Sequence, residues 1–300
     1  MNIEQKANKT RVIKEFLYSP GKELTSEARK KRLPKISVIT ASFNQAEFIE
    51  RTISSVFNQG YPNTEHIVID GGSNDGTVDI LKKYEKRIAY WVSEPDEGQT
   101  HAINKGLKHA TGELIGFQNS DDVYLPGAFW KVAEVANKNP QAGMIYGDFL
   151  HLDDNDNVLD EQLLGIAKLW IQIMLGPQIH NQAAFWRKSV SDKIGLLDQR
   201  YTFDMDYEYF SRILAAGYKA VHIQDYLGAF RHHSANKTSN LGDISKKELK
   251  QVSDAYRKES ALLRHIPRRL GRPLAMLMKA GKHLLDGRYD YLVRDRIKFK

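Results

Sequence analysis

Through its first half the chain alternates two apolar patterns. Short runs rich in β-branched residues come at Ile36–Ser42 (ISVITAS), Glu65–Asp70 (EHIVID), Ile88–Ser93, Glu113–Gln118 and Ala142–Phe149. Such runs predict strands, those buried on both faces being nearly continuous in apolar residues. Between them apolar residues recur at helical steps, at Ile49, Ile53 and Val56 and again at Val78, Leu81 and Tyr84. Further helices are predicted near Thr100–His109 and between Pro126 and Pro140, since proline fits a helix's first turn. Asn44, followed three residues later by Glu47, reads as a capping box for the first helix, which Gly60 and Pro62 end.

Strands alternating with helices predict an α/β fold with a mainly parallel sheet flanked by helices. Ligands then bind beyond the carboxyl ends of the strands. The chemistry is expected in the loops at Ser42–Asn44, Asp70–Thr77, Glu94–Gln99 and Asn119–Asp122. Beyond Asp153 the pattern loosens: Leu163–Arg212 reads as helical and Lys219–Gln224 as a late strand. The expected organisation is a polar lead-in over 1–34, a domain over 35–240 with halves 35–150 and 151–240, and a helical tail over 241–300.

Charge separates that tail from the rest. The net charge is +7, yet residues 261–300 carry eleven Lys/Arg against three Asp/Glu, which leaves −1 on the other 260 residues. In the tail Leu262, Leu263, Ile266, Leu270, Leu274, Leu277 and Met278 recur at helical steps among Arg264, Arg268, Arg269, Arg272 and Lys279. This is a basic amphipathic pattern, broken by Pro267 and Pro273 into two or three short helices. It suits an anionic membrane surface; packing of the apolar stripe on protein is the alternative. No nucleic-acid partner is expected. The absence of cysteine excludes disulfides and suits a reducing compartment, the cytoplasm. The opening MNIEQKANKT lacks the apolar core of a signal peptide, and no run approaches the ~20 apolar residues of a membrane span. A peripheral place on the inner face of the cell membrane fits these features. No P-loop and no Gly-x-Gly-x-x-Gly follows a strand, which counts against ATPases and dinucleotide enzymes.

Two loops carry candidate chemistry. Asp70 ends a strand and opens Asp-Gly-Gly-Ser-Asn-Asp-Gly-Thr, whose glycines permit tight turns and close ligand approach. Its carboxylate could accept an N–H from a nucleobase, although turn chemistry alone explains the composition. Asn119-Ser120-Asp121-Asp122 follows another apolar strand. Adjacent carboxylates repel unless a cation or hydrogen-bond donors face them, and hard oxygen ligands suit Mg²⁺ or Mn²⁺ bridging phosphates. An Asp-rich helix cap is the alternative.

The stretch ISVITASFNQAEFIERTISSVFNQGYPNTEHIVIDGGSNDGT, continued by SEPDEGQTHAINKGLKHATGELIGFQNSDD, resembles family 2 glycosyltransferases of the type that builds bacterial surface polysaccharides. The likeness runs on more thinly through HNQAAFWRK, FDMDYEYFSRILAAGY and FRHHS. It implies a GT-A fold and inverting transfer of a sugar from a nucleotide diphosphate sugar to a glycan or lipid-linked acceptor, with Mn²⁺ or Mg²⁺. It places Thr40, Ser42 and Asn44 against base and ribose, Asp70 on the base, Asp96 as a second carboxylate on the nucleotide side, and Asn104 and Lys105 on the phosphate side. Ser120 and Asp121 fall to the nucleotide and Asp122 to the metal, with Asn119 where many relatives have the motif's first Asp. Asp206 matches the catalytic base; Asp204 and Glu208, two residues either side, cannot share its helix face. His180 and Gln182 fall on the acceptor side, and Arg231 and His233 near the diphosphate, with His233 also a metal candidate. His101 stands where close relatives have Asp and reads as a surface histidine. The competing classes are a sugar nucleotidyltransferase, which would need a Gly-rich basic loop where Ser42-Phe43-Asn44-Gln45 stands, and a non-catalytic sugar-binding protein.

Overall fold

The computed structural model describes residues 1–18, 32–237, 242–260 and 263–288. Its strands are β1 (Ile36–Ser42), β2 (Thr64–Asp70), β3 (Tyr90–Ser93), β4 (Leu114–Asn119), β5 (Val123–Tyr124), β6 (Ala142–Leu152), β7 (Val158–Gln162), β8 (Ala184–Arg187) and β9 (Lys219–Arg231). They form one sheet in the order β3-β2-β1-β4-β8-β6-β9-β5, with β7 paired to β6. The helices are α1 (Ile3–Tyr18), α2 (Ile49–Phe57), α3 (Thr77–Tyr84), α4 (Gln99–His109), α5 (Ala128–Lys138), α6 (Leu169–Leu175), α7 (Lys188–Ile194), α8 (Met205–Ala215), α9 (Gly242–Glu259) and α10 (Arg268–Leu285).

The strand–helix alternation predicted before Asp153 is present, and β3-β2-β1-β4 is parallel throughout. Every residue of β1 is buried, as its unbroken apolar run implies. The second half departs from expectation. β8 lies inside the segment read as helical and inserts antiparallel between β4 and β6. Four residues, AFWR, are too few to show a two-residue period. β7 also runs antiparallel to β6 and β5 to β9, so the sheet is mixed rather than mainly parallel. β9 continues to Arg231, well past the expected Gln224; three register shifts against β6 disrupt its alternation.

The lead-in is not an appendage. Ile13 and Leu17 of α1 are buried with Val123, Leu125, Leu150, Leu152 and Val158. The expected capping box is absent. α2 starts at Ile49, and Asn44 is left-handed at φ 51°; its side chain accepts the Asn74 N–H and its own N–H donates to Ser73 Oγ. In the tail, Pro267 does precede a helix, but α10 runs through Pro273 as one piece. Leu262 lies outside the described residues. No helix among the described residues is long and apolar enough to cross a membrane.

Candidate active site

The parallel register sets Ser42 beside Asp70 and Ala41 beside Asn119, so three loops leave the sheet together. Asp70 is fully buried. One carboxylate oxygen accepts from the Gly72 N–H (3.2 Å), the Ser73 N–H (2.8 Å) and the Ser93 hydroxyl (2.6 Å), and the other from the Ser73 hydroxyl (2.5 Å). It therefore fixes the turn through Gly72, whose φ is +83°, the turn role open to it in the sequence. Thr40 is likewise enclosed, its hydroxyl 2.9 Å from His66 Nε2, and does not reach the ligand side. Ser42 differs: its buried hydroxyl at the strand end has no partner among the described residues. Beside it, Phe43 is 61 % exposed, an aromatic ring the pattern did not flag. A Cβ on Gly71 would lie 3.0 Å from Asp96 Oδ2 and 3.3 Å from the Phe43 ring. Ring, glycine backbone and carboxylate thus lie side by side, and the Asp96 Oδ1 accepts the Gly98 N–H (2.7 Å).

At the end of β4, Asp121 and Asp122 face opposite ways. Asp122 is fully buried; Oδ1 accepts the Arg231 N–H (2.9 Å), and Oδ2 accepts from Gln182 Nε2 (2.9 Å) and Asn119 Nδ2 (3.0 Å). Burial pushes its pKa up, and the Asp121 charge adds to the shift. Asp121 turns outward, with Oδ2 3.0 Å from His233 Nε2, and the His233 ring lies against Phe48 at 4.3 Å. Of the residues expected at a metal, Asp121 and His233 thus lie together, whereas Asp122 is enclosed behind Asp121. Asn119 is held between Asp122 and Gln99, whose amide donates to its oxygen at 2.7 Å. Gln182 serves Asp122 rather than the acceptor side, and Ser120 is buried with its carbonyl accepting from Thr52 (2.9 Å).

Arg231, expected near the diphosphate, is turned into the protein. Its side chain is fully buried, donates to the Asp121 carbonyl (2.7 Å) and forms an ion pair with Asp156, which also accepts from Arg51 (3.0 Å) and Tyr18 (2.8 Å). Asn104 is also structural: its amide donates to the Leu197 carbonyl (2.8 Å) and accepts the Leu197 N–H (2.9 Å). Lys105 pairs with Glu94 and, with His101, lines an open depression of about 530 Å³.

The third component enters on α8. Asp206, in its first turn, accepts N–H bonds from Tyr207 and Asn181, and burial raises its pKa to about 6. Asp204, just before the helix, is raised to about 7 by burial and by the Asp206 charge. Glu208 is taken by Arg212 in an ion pair at 2.6 Å. Glu248 of α9 accepts the N–H groups of Thr202, Phe203 and Asp204 and so fixes the entry to α8. Asn181 precedes Gln182, so one short segment touches both Asp206 and Asp122. Lys237, also unflagged by the sequence, donates to Gln99 (3.1 Å) and the Thr202 carbonyl and lies within the field of Asp204 and Asp206. His180 sits with its ring 4.9 Å from Phe149, and burial lowers its pKa to about 4.

A mixed sheet with loops converging at the carboxyl ends of β1, β2 and β4, and an acidic helix start opposite, is the arrangement of GT-A glycosyltransferases. The glycosyl transferase family 2 model matches residues 37–191, over half the chain, and the chain belongs to that family. It is similar to an uncharacterized glycosyltransferase of Mycobacterium tuberculosis, 36% identical over 183 residues, 60% of this chain and 68% of the relative. It is also similar to a putative teichuronic acid biosynthesis glycosyltransferase, TuaG, of Bacillus subtilis, 30% identical over 187 residues, 56% of this chain and 74% of that one. Among solved structures, S. aureus TarS 1-349 in complex with UDP-GlcNAc superposes with a TM-score of 0.63 at 15% identity, over 83% of this chain and 72% of TarS. The mannosyltransferase PcManGT from Pyrobaculum calidifontis, in complex with GDP-Man and Mn²⁺, gives 0.56 at 18% identity, over 93% and 82%. These two likenesses bear on the fold, which is of the GT-A type.

Proposed function

We propose that this chain transfers a sugar from a nucleoside diphosphate sugar to a hydroxyl of a glycan or lipid-linked glycan, with inversion, in surface polysaccharide assembly in the cytoplasm. Residues 35–240 would form the catalytic domain. The carrying observation is that segment 181–182 joins Asp206, held near 6, to the Asp121–Asp122 motif across the cleft. A carboxylate of that pKa is a competent general base near neutral pH. Asp206 takes the proton of the acceptor hydroxyl. The oxygen forms its bond to the anomeric carbon as the bond to the diphosphate breaks on the opposite face, and the nucleoside diphosphate leaves with the electron pair. A single displacement leaves the anomeric centre inverted.

The cluster of Phe43, Gly71 and Asp96, with the Ser42 hydroxyl, takes the nucleoside. A flat aromatic face and a carboxylate suit a base with ring N–H donors. Lys237 stands where charge develops on the diphosphate. One carboxylate and one imidazole fit Mn²⁺ or Mg²⁺, ions that take few protein ligands and fill their shells with phosphate and water. Asp121 and His233 would hold it, and its charge would offset that of the diphosphate. The UDP-GlcNAc bound by TarS and the GDP-Man bound by PcManGT support a donor of this class.

The test is thermal unfolding with UDP, dTDP and GDP, each with Mn²⁺, followed by transfer assays with sugar conjugates of the stabilising nucleotide. Ligand binding to the folded state raises the midpoint by mass action. Stabilisation by one nucleoside diphosphate and transfer from its sugar conjugate are expected. Indifference to all three nucleotides would overturn the reading, and binding without transfer would leave a sugar-nucleotide-binding protein.

A further inference from the structure

Helix α10 shows apolar residues on two faces. Gly271, Ala275 and Met278 face α6, with Gly271 against Met174. The second face carries Leu270, Leu274, Leu277, Leu284 and Leu285, exposed at 64, 52, 69, 47 and 87 %. At ~100° per residue these five fall within one arc of about 100°. Arg269 and Arg272 on the same helix and Arg264 just before it are exposed as well. The 40 residues 261–300 hold eleven Lys/Arg against three Asp/Glu, on a chain otherwise near neutral.

We propose that this face of α10 docks on an anionic lipid bilayer, its leucines entering the acyl boundary while the net basic charge of the tail, carried off this arc, draws the helix to the surface. Charge selects the occupant. A second copy of the chain would set one strongly basic segment against another, which is unfavourable. An acidic soluble polymer would match the charge but leave five leucines in water. An anionic bilayer matches both. The placement also suits an acceptor held in a membrane. α10 packs on α6, and Gln172 of α6 donates to Ser211 of α8 at 2.8 Å, the helix that carries Asp206 in its first turn. Attachment of this kind does not depend on the reaction proposed above and is measured separately from it.

The experiment is co-sedimentation of the full chain with vesicles of phosphatidylcholine alone and of phosphatidylcholine mixed with phosphatidylglycerol, at rising NaCl. Binding to the mixed vesicles, weakening with salt, is expected. Leu274→Ser with Leu277→Ser should lower the bound-to-free ratio at least about a hundredfold, since each leucine withdrawn from the acyl boundary exceeds one decade. Arg269→Gln with Arg272→Gln should weaken binding chiefly at low salt. All four positions are exposed, so an unchanged unfolding midpoint and an unchanged nucleotide-induced shift check that the fold and donor site persist. Absence of binding to either vesicle overturns the proposal, as does equal binding by the leucine variant. So does a dimer that the leucine variant dissolves, which would assign the face to a second copy.

Discussion

Asp156 lies more than thirty residues beyond the Asp121–Asp122 motif in the chain, yet the structure makes it a support of that motif. Its carboxylate and the Arg231 side chain are both fully buried and paired, and Arg231 in turn holds the Asp121 carbonyl by its side chain and Asp122 Oδ1 by its backbone N–H. Asp156→Asn removes the anion while keeping a residue that tolerates the left-handed φ of 64°. What remains is a buried guanidinium facing a neutral amide, and stranding one partner of such a pair costs about 3–5 kcal/mol. The amide oxygen still accepts one N–H, so about 3 kcal/mol is expected, a large share of the ~5–15 kcal/mol of a folded domain. Burial alone would raise the Asp156 pKa, but the Arg231 charge and hydrogen bond, with the Tyr18 hydrogen bond and the Arg51 charge, together outweigh it and hold the carboxyl below its ordinary value. Stability from a depressed carboxylate is complete above the unfolded value of about 3.9 and lost as pH falls through the folded one. The gap between parent and variant should therefore be full at neutral pH and narrow below pH ~4. Urea unfolding across pH, paired with titration of nucleoside diphosphate in Mn²⁺, measures both consequences. A loss under about 1 kcal/mol with unchanged nucleotide affinity would refute the reasoning.

Three further outcomes are expected. Asp206→Asn should lower turnover by ~10²–10⁴ with donor binding kept; in the parent, turnover should fall as pH drops through about 6, where Asp206 gains its proton. An equal loss in Asp204→Asn alone would move the base. Phe43→Ala should weaken nucleotide binding by ~1–3 kcal/mol, the scale of a lost base stack, as read by calorimetric titration; no change would remove Phe43 from the nucleoside site. Asp121→Asn should lose Mn²⁺-dependent nucleotide affinity with little loss of stability. Asp122→Asn should also lose ~1–3 kcal/mol of stability, because one of its three N–H donors would face an amide NH₂. Equal effects of the two on stability and binding would contradict their division of labour.

The first half of the fold was legible because β1, β2 and β4 are buried runs separated by clear helical stripes. The second half was not. β8 is too short for its period to show, β9 carries shifts that break alternation, and α1 owes its place to two residues, Ile13 and Leu17, in an otherwise polar segment. For the site, sequence brought the right loops together but could not say which way side chains turn. Asp121 and Asp122 are adjacent and chemically identical, and only the donors from Asn119, Gln182 and Arg231 show that Asp122 points inward. Asp70 and Asn104 occupy expected positions yet direct their polar atoms to neighbouring protein groups, Asp70 to two backbone N–H groups and two serine hydroxyls and Asn104 to the Leu197 backbone. Arg231 carries the right charge for a phosphate but closes an ion pair whose partner has no local signal. Phe43 was readable in principle, as an aromatic residue in a loop after a buried strand.

The seat of α1 has a consequence for how the chain is made. Thr10 accepts the N–H of Val158 through its hydroxyl, a contact across 148 residues, and the apolar cluster that buries Ile13 and Leu17 is drawn largely from residues 123–158, which emerge later. At ~5–20 residues per second, translation keeps that helix waiting about 7–30 s for its partners. During that interval its apolar face is open beside the ribosome, so nascent chains stalled before residue 158 should be the species that folding helpers and proteases recognise.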